Sequence, residues 1–171
     1  MEQPHVVIIM GVAGSGKSTI GARLASRNNG LFHDADDFHP AENIAKMVSG
    51  VPLDDADRAP WLTRLREEVI DTASPGKFSV LACSALKRAY RDRLGANTDG
   101  VALVYLKGDP ATLAERLAGR SGHYMKAGML ESQLATLEEP SPDEGLTVDI
   151  ASPADEIIGT IEAALGLRFS R

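Results

Sequence analysis

The residues Gly11-Val12-Ala13-Gly14-Ser15-Gly16-Lys17-Ser18 constrain this chain more than any others. They follow the apolar run Val6 to Met10 without a gap and precede a segment in which Ile20 and Leu24 recur at helical spacing. A strand that turns through glycines into a helix brings successive backbone N–H groups onto one anion, and the helix aims its positive end at the same point. The pattern G-x-x-x-x-G-K-[S/T] in this setting predicts a phosphate loop, in which Gly11 to Ser18, with Thr19 behind them, cradle a nucleotide. Lys17 would reach the β and γ phosphates, and the Ser18 hydroxyl would hold Mg2+. The loop leaves open whether the γ-phosphate passes to water, passes to a metabolite or stays in place.

Further apolar runs have the length and branching of buried parallel strands: Phe78 to Ala82, Val101 to Leu106 and, more weakly, Leu31 to His33 and Thr147 to Ile150. Helical stripes lie between them. Trp61, Leu65 and Val69, joined by Leu62 and Ile70, form one, which makes Trp61 a core residue, with the helix read as starting at Pro60-Trp61. Asp109 before Pro110 reads as an N-cap opening a helix with Leu113 and Leu117 inward, and Ser152, Pro153 and Asp155 repeat the device before Ile157, Ile158, Ile161 and Leu165. Gly166 ends that last helix. Alternating strands and helices predict a three-layer α/β domain with a mainly parallel, about five-stranded sheet.

With 171 residues the chain is one domain, large enough to need no disulfide or metal staple. Its 18 basic and 24 acidic residues argue against non-specific contact with nucleic acid or an anionic membrane. Cys83 is the single cysteine, and no leader or membrane span is visible, so a cytoplasmic location is expected. Cys83 itself reads as a small residue at a strand end.

Asp34, Asp36 and Asp37 stand at the end of the second candidate strand, followed by Phe38-His39-Pro40. Carboxyl ends of parallel strands face the ligand crevice, so these carboxylates can meet the phosphate loop. One carboxylate can orient a hydroxyl and accept its proton while another assists the metal. Asp36 is the candidate base and Asp34 the metal partner, with Asp37 one position away as the competing base. The strand ending at Ala82 leads to Cys83 where many phosphate-loop proteins carry an acid, which leaves Asp34 to complete the metal site.

The chain resembles gluconate kinases of the small phosphate-loop kinase family, which are similar to shikimate and adenylate kinases. The resemblance runs in order from Met10 to Pro140, and its specific blocks are Asp34-Ala-Asp-Asp-Phe-His39-Pro40, Asp57-Arg58-Ala-Pro60-Trp61, Cys83-Ser-Ala-Leu-Lys87 and Gly122-His-Tyr-Met-Lys126. It implies ATP- and Mg2+-dependent phosphorylation of D-gluconate on its terminal hydroxyl, giving 6-phospho-D-gluconate, by a homodimer. A sugar acid needs cations for its carboxylate and donors and acceptors for its hydroxyls. Arg58, by analogy with shikimate kinases, is expected to take the carboxylate. Lys87 and Arg91, four residues apart, are expected to share one helix face and help, while His39, Asn43 and Lys46 supply further contacts in a substrate segment of about residues 36–60.

Arg116 and Arg120 resemble a paired arginine of adenylate kinases. On that analogy Arg116 stacks on adenine and Arg120 neutralises the transferring phosphate, with a helical lid at about residues 120–128 excluding water. The rival reading is a nucleotide-gated switch with no metabolite acceptor; the acidic pair and the basic clamp count against it.

Overall fold

The structure, a computed structural model of the 171-residue chain, describes residues 3–119 and 127–167. Five strands form the sheet: β1 (Val6–Met10), β2 (Leu31–Asp34), β3 (Ser79–Ala82), β4 (Val101–Lys107) and β5 (Leu146–Asp149). Their spatial order is β2-β3-β1-β4-β5, and every neighbouring pair is parallel. The strand order therefore reverses around β1, so the crevice outside its carboxyl end is where such a sheet takes ligands. The phosphate loop leaves from that end.

Val6 to Met10 are all fully buried, as expected for a central strand covered on both faces. Alternate residues enter different layers. Val7, Ile9, Val80, Val104 and Val148 meet α1 (Lys17–Arg27), α5 (Pro110–Ala118) and α7 (Ala154–Leu165) through Leu24, Leu113 and Ile158. Val6, Ile8, Leu81, Leu103 and Tyr105 meet α3 (Asp55–Leu65) and α4 (Arg88–Leu94) through Leu62, Leu65, Tyr90 and Leu94. Each buried aliphatic side chain contributes on the order of 1.5–3 kcal/mol, whereas an exposed ion pair contributes about 0–1 kcal/mol. The two cores, and not surface pairs such as Arg64–Glu68, hold the strand ends in place.

The sequence reading holds for the fold class, and strand limits shift by one residue at several ends. The Asp109 carboxylate accepts the Thr112 N–H at 2.8 Å as the cap with Pro110 behind it, and Gly166 ends α7 in a left-handed conformation at φ 66°. Two local expectations are corrected. The helix expected at Pro60-Trp61 begins at Asp55, because Asp54 and Asp57 form a reciprocal capping box, and Pro60 sits within its second turn. The cap of α7 is Pro153, with no side-chain hydrogen bond from Ser152. After β2 a 3-10 turn (Ala35–Phe38) leads into α2 (Ala41–Val48). Beyond α3 the helix widens into a π turn over Arg66–Ile70, which keeps Val69 and Ile70 buried. No helix among the described residues is long and apolar enough to cross a membrane.

Candidate active site

The phosphate loop bends where its glycines allow it. Gly14 and Gly16 have φ of 85° and 91°, and a Cβ on Gly14 would lie 2.9 Å from the Leu113 carbonyl, so α5 packs directly on the loop. Gly16 caps α1, whose first-turn N–H groups lack intrahelical acceptors. Lys17 Nζ donates to the Val12 carbonyl at 3.2 Å, folding the side chain back along the loop. Ser18 Oγ donates to Asp34 Oδ2 at 3.0 Å, and Asp34 Oδ1 accepts the Asp36 N–H at 3.0 Å. One carboxylate thus touches the loop and caps the turn that carries Asp36.

A cleft opens beside the loop. It is lined by Lys17, Ser18, Asp34, Asp36, His39 and Arg58, together with backbone and side chains of the loop, the α3 start and the end of β3. The sequence-derived acids, cations and histidine named here therefore share a single space with the phosphate loop. Asp37, the competing base, does not line it.

His39 is buried between α2 and α3, with its ring stacked on Trp61 at 4.2 Å between centroids and 14° between planes. Burial, and then the Arg58 charge, push its pKa down to about 4, so the imidazole is neutral at pH 7. Asn43 Nδ2 lies 3.2 Å from Nδ1 and can only donate, which puts the ring proton on Nε2, 3.8 Å from the Asp36 carboxylate. Trp61 is core, as expected, and also forms part of the cleft wall; its Nε1 donates to the Ala35 carbonyl at 2.7 Å. Asn43 and Lys46 are committed to holding α2 against α3: Asn43 donates to the Asp57 carbonyl, and Lys46 Nζ pairs with the Asp57 carboxylate at 2.8 Å.

The basic groups separate into two environments. Arg58 Nη1 donates to the Tyr90 hydroxyl at 3.1 Å, Tyr90 in turn donates to Asp55, and Lys87 Nζ donates to the same Asp55 oxygen at 3.3 Å. The hydrogen bond from Tyr90 and the Lys87 ammonium hold the Asp55 carboxyl below its ordinary range. Tyr90 and Asp55 escape a sequence reading because each occupies a helix among other polar residues and gains meaning only when α3 and α4 meet. Arg91 corrects the expectation of a second helper. Lys87 is the extended N-cap of α4, so the two do not share a helical face. Arg91 is 1% exposed, with its guanidinium on both Glu144 oxygens at 3.2 Å and on the Ala85 carbonyl at 2.9 Å. It braces the core, and neither it nor Lys87 is among the residues that line the cleft.

Arg116 Nη2 donates to the Ile150 carbonyl at 3.0 Å, and its Nη1 comes within 3.8 Å of where a Cβ on Gly16 would stand, beside the phosphate loop. Thr19 is exposed on the first turn of α1. Arg120 and most of the expected lid lie outside the described residues. Immediately after them α6 (Ala127–Thr136) lines the cleft with Met129, Ser132, Gln133 and Thr136, a helical face absent from the sequence reading.

Hard oxygen donors suit a Mg2+ ion accompanying a triphosphate, and the Ser18 hydroxyl and Asp34 carboxylate supply two side by side. Cys83 does not compete for it: burial pushes the thiol pKa up to about 12, so the sulfur stays protonated.

Residues 6–140 match the AAA domain family. The chain is 43% identical over 161 residues to the thermoresistant gluconokinase of Escherichia coli strain K12, covering 92% of each chain. It is 44% identical over 142 residues to a gluconokinase of Gluconobacter oxydans, covering 83% of this chain and 80% of the other. The crystal structure of a gluconokinase from Sinorhizobium meliloti 1021 superposes with a TM-score of 0.86 at 41% identity, over 97% of this chain and 94% of that one. A shikimate kinase from Bacteroides thetaiotaomicron shares the fold, with a TM-score of 0.67 at 16% identity over 95% of this chain and 98% of that one. With its phosphate loop, acidic pair and arginine-bearing cleft in a chain matched along nearly its whole length, the protein is a kinase and belongs to the gluconokinase family.

Proposed function

We propose that this protein transfers the γ-phosphoryl group of ATP to the terminal hydroxyl of D-gluconate, giving 6-phospho-D-gluconate and ADP. The observation that carries the reading is the shared cleft, in which a phosphate loop, an exposed carboxylate and an arginine face one space. The relatives named gluconokinase support the choice of acid.

In this reading the loop from Gly11 to Ser18 and Lys17 hold the β and γ phosphates. Ser18 and Asp34 would hold Mg2+, which supplies charge compensation for the triphosphate. Asp36 accepts the proton of the terminal hydroxyl as its oxygen forms a bond to the γ phosphorus, and the bond from that phosphorus to the β-γ bridging oxygen breaks to release ADP. Neutral His39 donates through Nε2 to a substrate hydroxyl. Arg58 takes the gluconate carboxylate, with Lys87 adding positive potential. Arg116 and Arg120 keep the adenine-stacking and phosphate-neutralising roles drawn from adenylate kinases, and a lid at about residues 120–128 keeps water from the γ-phosphate. The whole chain acts as one domain, with residues 36–60 as its acceptor segment. A homodimer in the cytoplasm completes the reading.

The test is ATP turnover with Mg2+ across D-gluconate, shikimate, other sugar acids and a control without acceptor. Turnover that depends on gluconate is the expected result; equal turnover with no acceptor would favour a nucleotide-hydrolysing switch.

A further inference from the structure

Arg58 lines the cleft, whereas Tyr90, Asp55 and Lys87, the groups bonded to it or to one another, do not. Asp55 and Arg58 stand three residues apart on α3, the spacing at which opposite charges on one helix pair directly. They do not pair here. The Tyr90 hydroxyl bridges them, accepting from Arg58 Nη1 at 3.1 Å and donating to Asp55 Oδ1. Lys87 Nζ donates to that same oxygen at 3.3 Å, so the Asp55 charge is set against Lys87. Among the described residues, Arg58 has no carboxylate in ion-pair contact.

A phenol is neutral and carries one hydrogen. Tyr90 gives that hydrogen to Asp55 and so offers Arg58 a lone pair, which holds the guanidinium without cancelling its charge. Tyr90 is itself fixed, because its ring is buried in the core with Leu94 of its own helix and Leu62 of α3. The Arg58 guanidinium and the Lys87 ammonium both lie over that ring, 5.3 Å and 5.6 Å from its centroid. We propose that Tyr90 is a positioning residue that keeps Asp55 from capturing Arg58, so that the cleft presents an uncancelled guanidinium to an acceptor bearing a carboxylate. The inference rests on the role proposed above for Arg58 and deepens it, since it names the residue that sets the preference for an acid.

Two readouts on the full chain test this: KM for D-gluconate, and the rate at which phenylglyoxal modifies Arg58, followed by peptide mass. Tyr90→Phe keeps the ring and removes the bridge, leaving Asp55 and Arg58 to pair directly. KM for gluconate is then expected to rise at least about threefold with KM for ATP unchanged, and Arg58 to be modified more slowly. Tyr90→Phe with Asp55→Asn removes the captor as well, so KM is expected to return to within about twofold of the unmodified chain and the modification rate to recover. A phenol that only packs α4 against α3 would leave the gluconate KM unchanged in Tyr90→Phe, or raised without recovery in the double variant; either result overturns the proposal. Thermal unfolding reports whether each variant keeps the fold. If Tyr90→Phe does not fold, Asp55→Asn decides: an unchanged rate of Arg58 modification supports the proposal, and a faster one shows that Asp55 already holds Arg58 and overturns it. The modification readout needs no acceptor, so a chain that fails to turn over gluconate counts against the proposed reaction while Arg58 modification still decides the role of Tyr90.

Discussion

Ser18 Oγ and Asp34 Oδ2 meet at 3.0 Å, so the first turn of α1 and the carboxyl end of β2 are joined at the point where the phosphate loop ends. Asp34 stands in register with Ala82 at the end of β3, the strand beside β1 after which many phosphate-loop proteins carry an acid.

Asp34→Asn keeps an oxygen for the Asp36 N–H and loses the charge. It should therefore leave thermal stability near that of the unmodified chain while lowering turnover at least about tenfold and raising the Mg2+ concentration needed for half-maximal rate. A Mg2+ titration of the rate at saturating ATP checks this; an unchanged Mg2+ requirement would remove Asp34 from the metal site.

Asp36 lines the cleft with a half-exposed side chain, so its loss should not disturb packing. Asp36→Asn and Lys17→Ala are each expected to slow phosphoryl transfer by at least about 10²-fold with the fold retained. A near-normal rate for Asp36→Asn, measured by ADP release, would remove it as the base.

Arg58 lines the cleft from α3, whereas Lys17 lines it from the end of the phosphate loop. Arg58→Ala should raise KM for gluconate at least about tenfold, the loss expected for one charge-assisted contact, and raise KM for ATP much less. Equal rises for both would contradict carboxylate recognition by this residue.

Arg91 and Glu144 form a pair with both side chains almost fully buried. Burial works against the Glu144 charge, yet the Arg91 hydrogen bonds and the Ser141 N–H hold its carboxyl below the ordinary range. Breaking such a pair costs about 3–5 kcal/mol, because one charge is left without its partner. Arg91→Ala should lose stability of that order in urea unfolding, and Arg91→Met with Glu144→Met should recover much of it. Unchanged stability together with a raised gluconate KM would return Arg91 to the substrate site.

His39 gives a pH dependence of stability. Its folded pKa of about 4 lies below the ordinary 6.5, so between those values the unfolded chain binds a proton that the folded chain refuses. Stability is fully present above about pH 6.5 and declines as pH falls toward 4, by at most ~1.4 kcal/mol per pH unit from this group. His39→Gln should flatten that part of the profile in denaturant titrations at several pH values; an unaltered slope would place the titrating group elsewhere.

Much of the fold and of the phosphate site is legible in the amino-acid sequence, because there local chemistry and tertiary role coincide. Val6 to Met10 is apolar throughout since both of its faces are covered, and Gly14 and Gly16 stand where the loop needs positive φ. Asp109-Pro110 and Gly166 mark helix ends by backbone rules alone. Legibility fails where partners are remote. Arg91 belongs to Glu144, 53 residues away, so its spacing from Lys87 says nothing of its surroundings. Asp54 and Asp57 resemble charged loop residues, although their three-residue spacing is that of a capping box and is readable as one. Tyr90 acquires its role only from Arg58 and Asp55, contacts that no local pattern encodes.

The most direct measurement of the central claim is the identity of the product when the protein, ATP, Mg2+ and D-gluconate react, read by phosphorus and carbon NMR with mass detection. The account predicts one phosphate ester, on the terminal oxygen of gluconate, formed in step with ADP. Phosphate released to water, or an ester at another oxygen, would contradict it.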